Sequence, residues 1–287
     1  MRREWLQHWV NNEHLQFIPF TCISHVFLII KSYLCSPKFN CHMKILVCIS
    51  NVPDTTTKIN FSPDNKEFLT AGIQYIINPY DEIALTRALE LTEGSGGTVT
   101  VINVGDVSTE PTIRKALAIG ATDAIRVNAA PRDAWFVAKQ IAAVAAADKY
   151  DLILTGRESI DYNGSQVAAM IGELLDLPSV SICKSLQIDG SNAVLEREIE
   201  GGKEVISCPI PVVISATEGM AEPRIPNMRG IMSARTKPLR VVEPVEVPKF
   251  TEVKQYDKPK PRGQVNLVPA DQVEKMVDLL HTEAKVF

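Results

Sequence analysis

From Lys44 onward the sequence predicts an α/β fold: a mainly parallel sheet with helices on both faces, antiparallel edge strands and an extended C-terminal arm. Three observations carry this expectation. Short apolar runs alternate with longer amphipathic stretches. Runs such as 151–155, with Leu152, Ile153 and Leu154 in succession, are continuous and apolar at the centre, as parallel strands covered on both faces are. The chain has 287 residues, 45% hydrophobic and 22% charged, enough to bury a core.

Taken in order, a first strand is expected over 44–49, followed by a polar, turn-rich stretch, 51–70, that reads as a loop or small hairpin. Asn78-Pro79-Tyr80-Asp81 then reads as a helix start. Asn78 is the N-cap, Pro79 takes the first helical position and Asp81 lies three residues past the cap, ahead of the apolar face Ile83, Leu85, Ala88 and Leu89. Glycines between 94 and 97 end it. A second strand is expected over 98–104, a helix over 111–119 closed by Gly120, a third strand over 124–127 and an alanine-rich helix over 134–147. The fourth strand, 151–155, leads into a helix over 167–175 that stops at Asp176-Leu177-Pro178. Extended segments at 185–188, 193–199, 203–207 and 212–216, joined by Asp189-Gly190 and Gly201-Gly202, read as an antiparallel edge. The Pro-rich stretch 238–261 has no regular pattern and reads as an arm. It ends in a helix over 271–284 whose Val273, Met276, Val277 and Leu280 form one apolar stripe, which suggests a partner chain.

The formal charge of −4 gives no general attraction for phosphate backbones or anionic lipid, so nucleic-acid and membrane-surface roles are disfavoured. Six cysteines without a CxxC pair read as free thiols in a reducing compartment, a cytoplasmic one. Residues 1–42 hold four of the five histidines and two of the three tryptophans, a sharp composition break. Their apolar run, 17–30, is short of the roughly 20 residues a spanning helix needs and lacks a signal-peptide cleavage pattern. His8, His14, His25 and Cys22 match no zinc spacing. The segment therefore reads as an atypical extension, with Met43 the natural start.

No GxGxxG follows a strand, Gly201-Gly202-Lys203 lacks P-loop spacing, and the only histidine outside the leader is His281, which leaves no Ser/His/Asp set. What remains is the segment Thr155-Gly156-Arg157-Glu158-Ser159-Ile160-Asp161-Tyr162-Asn163-Gly164-Ser165-Gln166. It leaves the carboxyl end of a central strand and enters a helix, where open α/β sheets bind ligands and where helical N–H groups favour phosphate. The same loop also suits a plain connection, and Asn78 to Asp81 an ordinary capped helix.

Residues 43 to about 242 resemble the β subunit of electron transfer flavoprotein, and the likeness runs through the arm. The stretch 195–215, with Arg197 and Glu198 before the Gly201-Gly202 turn and Glu204 after it, then Pro209 and an apolar strand, resembles that family's signature. Val52-Pro53-Asp54, Asn78-Pro79-Tyr80-Asp81-Glu82, the 156–166 loop and Glu222-Pro223-Arg224 follow in family order. The resemblance implies an adenine-nucleotide alpha-hydrolase-like fold and a heterodimer. In it an α subunit carries the redox-active FAD, and the β subunit binds AMP or, in electron-bifurcating members, a second FAD. Carried over, the nucleotide contacts fall on Cys48, Asn78, Pro79, Tyr80, Asp81, Val104, and on Gly156, Arg157, Glu158, Ser159, Ile160, Asp161, Tyr162, Asn163, Gly164, Ser165, Gln166 and Val167. The loop that docks acyl-CoA and related dehydrogenases falls on Met220, Ala221, Glu222, Pro223 and Arg224, with Met220 as aliphatic anchor. Asp161 to Val167 fits neither the AMP-type nor the bifurcating pattern, although Gln166-Val167 and Met228 to Met232 lean to the second; AMP versus FAD stays open.

These readings give an extension (1–42), a nucleotide-binding domain (43–242) and a partner-binding arm (243–287). The expected function is that of an electron-carrying subunit, not an enzyme, with no metal. The alternative is a stand-alone adenine-nucleotide-binding protein of the stress type.

Overall fold

The computed structural model describes residues 42–93, 96–261, 263, 265 and 267–286. The expectations placed on residues 1–41 lie outside them. The chain divides into two compact units: the residues up to Thr55 with Gln74–Thr251, and Thr56–Ile73 with Glu252–Phe287.

The first unit is built on nine strands: β1 (Lys44–Cys48), β4 (Thr98–Val104), β5 (Asp123–Val127), β6 (Leu152–Gly156), β7 (Ser179–Asp189), β8 (Asn192–Ile199), β9 (Gly202–Pro209), β10 (Val212–Ala216) and β11 (Leu239–Val242). They lie side by side in the order β11-β5-β4-β1-β6-β10-β7-β8-β9. A small antiparallel pair, β2 (Asn51–Pro53) and β3 (Tyr75–Ile77), bridges β1 to the first helix. The helices are α1 (Pro79–Thr92), α2 (Glu110–Ile119), α3 (Ala134–Asp148), α4 (Val167–Leu175) and α5 (Met228–Ala234).

Alternation along β1 shows why this sheet is covered twice. Ile45 and Val47 pack with Ile83, Leu85, Ile113 and Leu117 from α1 and α2, whereas Leu46 and Cys48 pack with Phe136, Ile141, Ala168 and Ile171 from α3 and α4. Both faces of a strand are then apolar, and its sequence loses the period of two.

The structure corrects the expected edge. Within the nine-stranded sheet only β7, β8 and β9 pair antiparallel. β10 inserts between β6 and β7, parallel to both, and all five of its residues are buried. Its continuous apolar run has the same physical cause as that of β6. The stretch from 238, expected to hold no regular pattern, also contains a strand, since Leu239–Val242 adds to the sheet parallel to β5. Helix α5, not anticipated, is turned inside out: Gly230 and Ala234 face α2, and Met228, Ile231 and Met232 face solvent. A Cβ on Gly230 would lie 2.2 Å from the Ala118 carbonyl oxygen, so only glycine admits this approach. Arg114 donates to the carbonyls of Ala234 and Lys237, and Lys237 donates back to those of Leu117 and Ala121, so carbonyls at and just past the two helix ends are satisfied by cations from across the contact.

In the second unit Phe61 bridges Phe68 and stacks on Tyr256 at 5.0 Å, while the Tyr256 N–H donates to the Asn65 carbonyl. Its one helix among the described residues, α6 (Val273–Thr282), buries none of its residues.

Candidate functional site

The chain runs from β1 outward to β4 and β5 on one side, then returns to β6 on the other side of β1. Connections leaving the carboxyl ends of β1 and β6 therefore diverge to opposite faces, and a crevice opens there. The sequence-predicted residues converge on it from three directions: the end of β1, the start of α1 and the β6–α4 loop.

The start of α1 does something other than cap its own helix. Asn78 occupies the N-cap position, yet its side chain makes no capping bond. Its Nδ2 instead donates to the Glu158 carbonyl at 2.8 Å, and its Oδ1 accepts from the Ile160 N–H at 3.2 Å. Asp81 reaches further: Oδ2 accepts from the Ser50 N–H at 2.7 Å, and Oδ1 from the Gly156 N–H at 2.8 Å. Both side chains are buried, at 0% and 4% exposure. Burial pushes the Asp81 carboxyl up to about 7, against the opposing pull of the hydrogen bonds from Ser50, Asn78 and Gly156. Pro79 starts the helix with the ring that needs no N–H partner, and the Tyr80 ring lies 5.3 Å beneath the Arg157 guanidinium.

The β6–α4 loop is fixed at its root and open at its tip. Arg157 pairs with Glu158 at 3.2 Å, Ser165 Oγ donates to Glu158 Oε2 at 3.0 Å, and the Asn163 N–H donates to the Ser159 carbonyl. Asp161, Tyr162, Asn163, Gly164, Ser165 and Gln166 are exposed, and Asn163 and Ser165 both hold φ of +50°. No side chain caps α4 at Gln166, and its first turn from Val167 holds no acidic residue. The N–H groups there are available to an anion, and nothing lies within 4 Å of a Cβ built on Gly164.

Cys48 and Val104 end adjacent strands, but both side chains are buried in the α3/α4-side core. Burial raises the Cys48 thiol far above its ordinary range, so it is an inert apolar residue.

The Met220 segment departs from expectation. Met220 is 6% exposed and belongs to the α1/α2-side core, so its side chain is not presented as an anchor. Arg224 is held by both carboxylate oxygens of Glu93, and Ala221 packs on the core; Glu222 and Pro223 are exposed. The apolar side chains that face outward come next in the chain: Ile225 at 92%, Met228 at 74% and Met232 at 68% exposure.

Two buried polar residues at the same end of the sheet escaped the sequence reading. Asn103 donates to the Ile49 carbonyl at 2.9 Å and leaves its buried Oδ1 without a partner; Arg126 donates to the Gly105 carbonyl and lies 3.3 Å from Glu110. The signal was present as Asn103 and Arg126 standing between apolar neighbours in the strands TVTVINV and DAIRV. Among the described residues no group of three or more His, Cys, Asp or Glu could hold a metal, and no helix is long and apolar enough to cross a membrane.

A parallel sheet wound to both sides of β1, with a polar loop at its switch point, is the architecture of a doubly wound α/β domain. The chain belongs to the electron transfer flavoprotein family: residues 67–247 match the electron transfer flavoprotein domain. It is 34% identical over 258 residues to the electron transfer flavoprotein subunit beta of Bacillus subtilis, covering 85% of this chain and all of that protein. The subunit beta of Homo sapiens is 33% identical over 208 residues, covering 70% of this chain and 82% of that one. That of Thermoanaerobacterium thermosaccharolyticum is 36% identical over 198 residues, covering 68% and 76%.

Proposed function

We propose that the chain is the β subunit of a heterodimeric electron carrier, taking electrons from acyl-CoA or related dehydrogenases and handing them to a downstream acceptor. Its α partner holds the redox-active FAD; this subunit holds AMP or a second FAD in the crevice at β1, β4 and β6. The flavin supplies the electron chemistry, and the protein supplies placement. The observation that supports the nucleotide reading best is the uncapped first turn of α4 behind an open loop tip that Asn78 and Asp81 hold from beneath. A phosphate fits that donor set: the N–H groups of Val167 and its neighbours would hold it, with Gly164 giving it room. Residues 1–42, an extension by composition, have no part in this reading, and residues 243–287 supply the arm that embraces the partner.

Exposure of Val273, Met276 and Val277 on α6, at 56%, 46% and 45%, favours the paired reading over a stand-alone stress-type protein, which would leave that stripe wet. Free thiols at Cys48, Cys183 and Cys208 suit a reducing cytoplasm. The test is co-expression with the α chain followed by a visible spectrum and nucleotide extraction. One flavin per dimer with extractable AMP is the outcome for a simple carrier, and two flavins that for a bifurcating one. A colourless monomer that binds no adenosine compound would end the reading.

Docking of the dehydrogenase, on this reading, uses the exposed side chains after Glu222-Pro223-Arg224. Ile225→Ser is expected to lower the electron-delivery rate several-fold with flavin content and melting temperature unchanged. Met220→Ala is expected to cost about 2–4 kcal/mol of stability instead, as for a core methionine. Stopped-flow reduction and thermal melts of the two variants distinguish them; equal rates for Ile225→Ser and the parent would remove Ile225 from the surface.

A further inference from the structure

We propose that Asp81 is a proton-sensitive positioning residue for the nucleotide cradle: its carboxylate ties the end of β1 to the end of β6, and nucleotide affinity follows its charge. This rests on the nucleotide-binding reading of the crevice. The backbone ladder between the two strands runs only from Ile45↔Leu152 to Val47↔Leu154. Past that point β1 pairs only with β4 and β6 only with β10. Ser50 lies three residues beyond the last pair and Gly156 two, and both amides donate to the one carboxylate of Asp81. A side chain from a third element thus does the joining where the sheet no longer does.

Ionised, each oxygen of the carboxylate accepts one N–H in a charge-assisted bond, roughly twice as strong as a neutral one. Protonated, one of those oxygens becomes a hydroxyl, and the amide facing it loses the stronger half of the latch. Gly156 is the first residue of the loop that leads to Gly164 and α4, so the slack is delivered to the cradle itself. With burial holding this carboxyl near 7, both states are populated around neutral pH.

The titratable and charged groups around Asp81 are paired with one another or buried. From β1, the Cys48 thiol stays neutral because burial raises it. From α1, Glu82 is ion-paired with Lys115 at 2.5 Å, and the Tyr80 ring packs under Arg157. From the β6–α4 loop, Arg157 and Glu158 pair with each other. From β4, Asn103 carries no charge, and its amide is committed to the Ile49 carbonyl.

The sign follows: affinity is highest above pH 7, where the latch is ionised, and falls as pH drops through 7. The test uses the full-length chain co-purified with its α partner, with AMP and FAD as separate probes in equilibrium dialysis between pH 6 and 8. Affinity is expected to fall about tenfold from pH 8 to pH 6, a typical coupling between two linked sites. Asp81→Asn, neutral throughout, is expected to bind weakly and equally at both ends of that range. FAD separates this from the titration of the AMP phosphate near 6. Should the variant fail to fold, calorimetry on the unmodified complex decides: FAD binding at pH 7 is expected to release protons, seen as a dependence of the binding enthalpy on buffer ionisation. A flat FAD affinity with no proton release, or an Asp81→Asn variant with the parental pH profile, overturns the latch while leaving the nucleotide site standing. Failure of both probes at every pH overturns the nucleotide reading, and the latch with it.

Discussion

Gly156→Ala is expected to lower stability by about 3 kcal/mol or more, toward the severe end of overpacking changes, and to weaken AMP binding with it. The added Cβ would stand 2.4 Å from Asp81 Oδ1, 2.7 Å from Tyr80 Cβ and 2.9 Å from the Tyr80 carbonyl carbon. None of these atoms is the loose end of a flexible side chain. Asp81 is fixed by two backbone amides, one of them that of Gly156, and Tyr80 is backbone and root of the first turn of α1. Relief requires either withdrawing α1 from β6 or bending β6 at the strand end that forms the cradle. Gly164→Ala is the internal control, because nothing lies within 4 Å of its Cβ and its backbone is not left-handed. It should be neutral in stability, within about 0.5 kcal/mol. Thermal melts of the two variants give a difference of roughly 10 °C, at about 2–4 °C per kcal/mol for a chain of this size. Indistinguishable melts would mean that Asp81 and Tyr80 do not pack against β6 as described.

The sheet was legible where local pattern and burial agree. β1 and β6 are covered by helices on both faces, so each reads as a continuous apolar run, Ile45–Cys48 and Leu152–Leu154. β10 carries the same run, but it follows two hairpins, and chain order suggested an edge strand where long-range register places a central one. β11 shows only Leu239 and Val242 half-buried between prolines; its pairing with β5 is a tertiary choice that no local signal encodes. α5 was hidden for the opposite reason, since its apolar residues point outward and its buried face consists of Gly230 and Ala234.

The candidate site divides in the same way. A polar, glycine-bearing loop after a central strand announces itself, because open backbone N–H groups need small neighbours. The work of Asn78 and Asp81 did not announce itself: a helix cap and a long-range clamp use the same residues at the same spacing. Met220 illustrates the complementary limit. Likeness to a family aligns it with an exposed anchor, but exposure belongs to the fold around a residue, and here the fold turns it into the core.

The clamp reading makes Asn78→Ala the second severe substitution. An ordinary N-cap lost to alanine costs about 1 kcal/mol and frays the helix it starts. Asn78 makes no such bond, so α1 should stay intact and the damage should appear 80 residues away, at Glu158 and Ile160. Both of those backbone groups would lose a fully buried partner, at about 1–3 kcal/mol for each orphaned group, or roughly 2–6 kcal/mol together. Circular dichroism should report unchanged helix content, while limited proteolysis gains a cleavage site within residues 158–166 and AMP affinity falls at least tenfold. A variant that frays α1 and leaves the loop protected would return Asn78 to the role of a simple cap. Asn78→Asp sharpens the comparison: it keeps an acceptor for the Ile160 N–H but turns the donor facing the Glu158 carbonyl into a second carboxylate beside Asp81. It should therefore be no better than alanine, and worse as pH rises and both acids ionise.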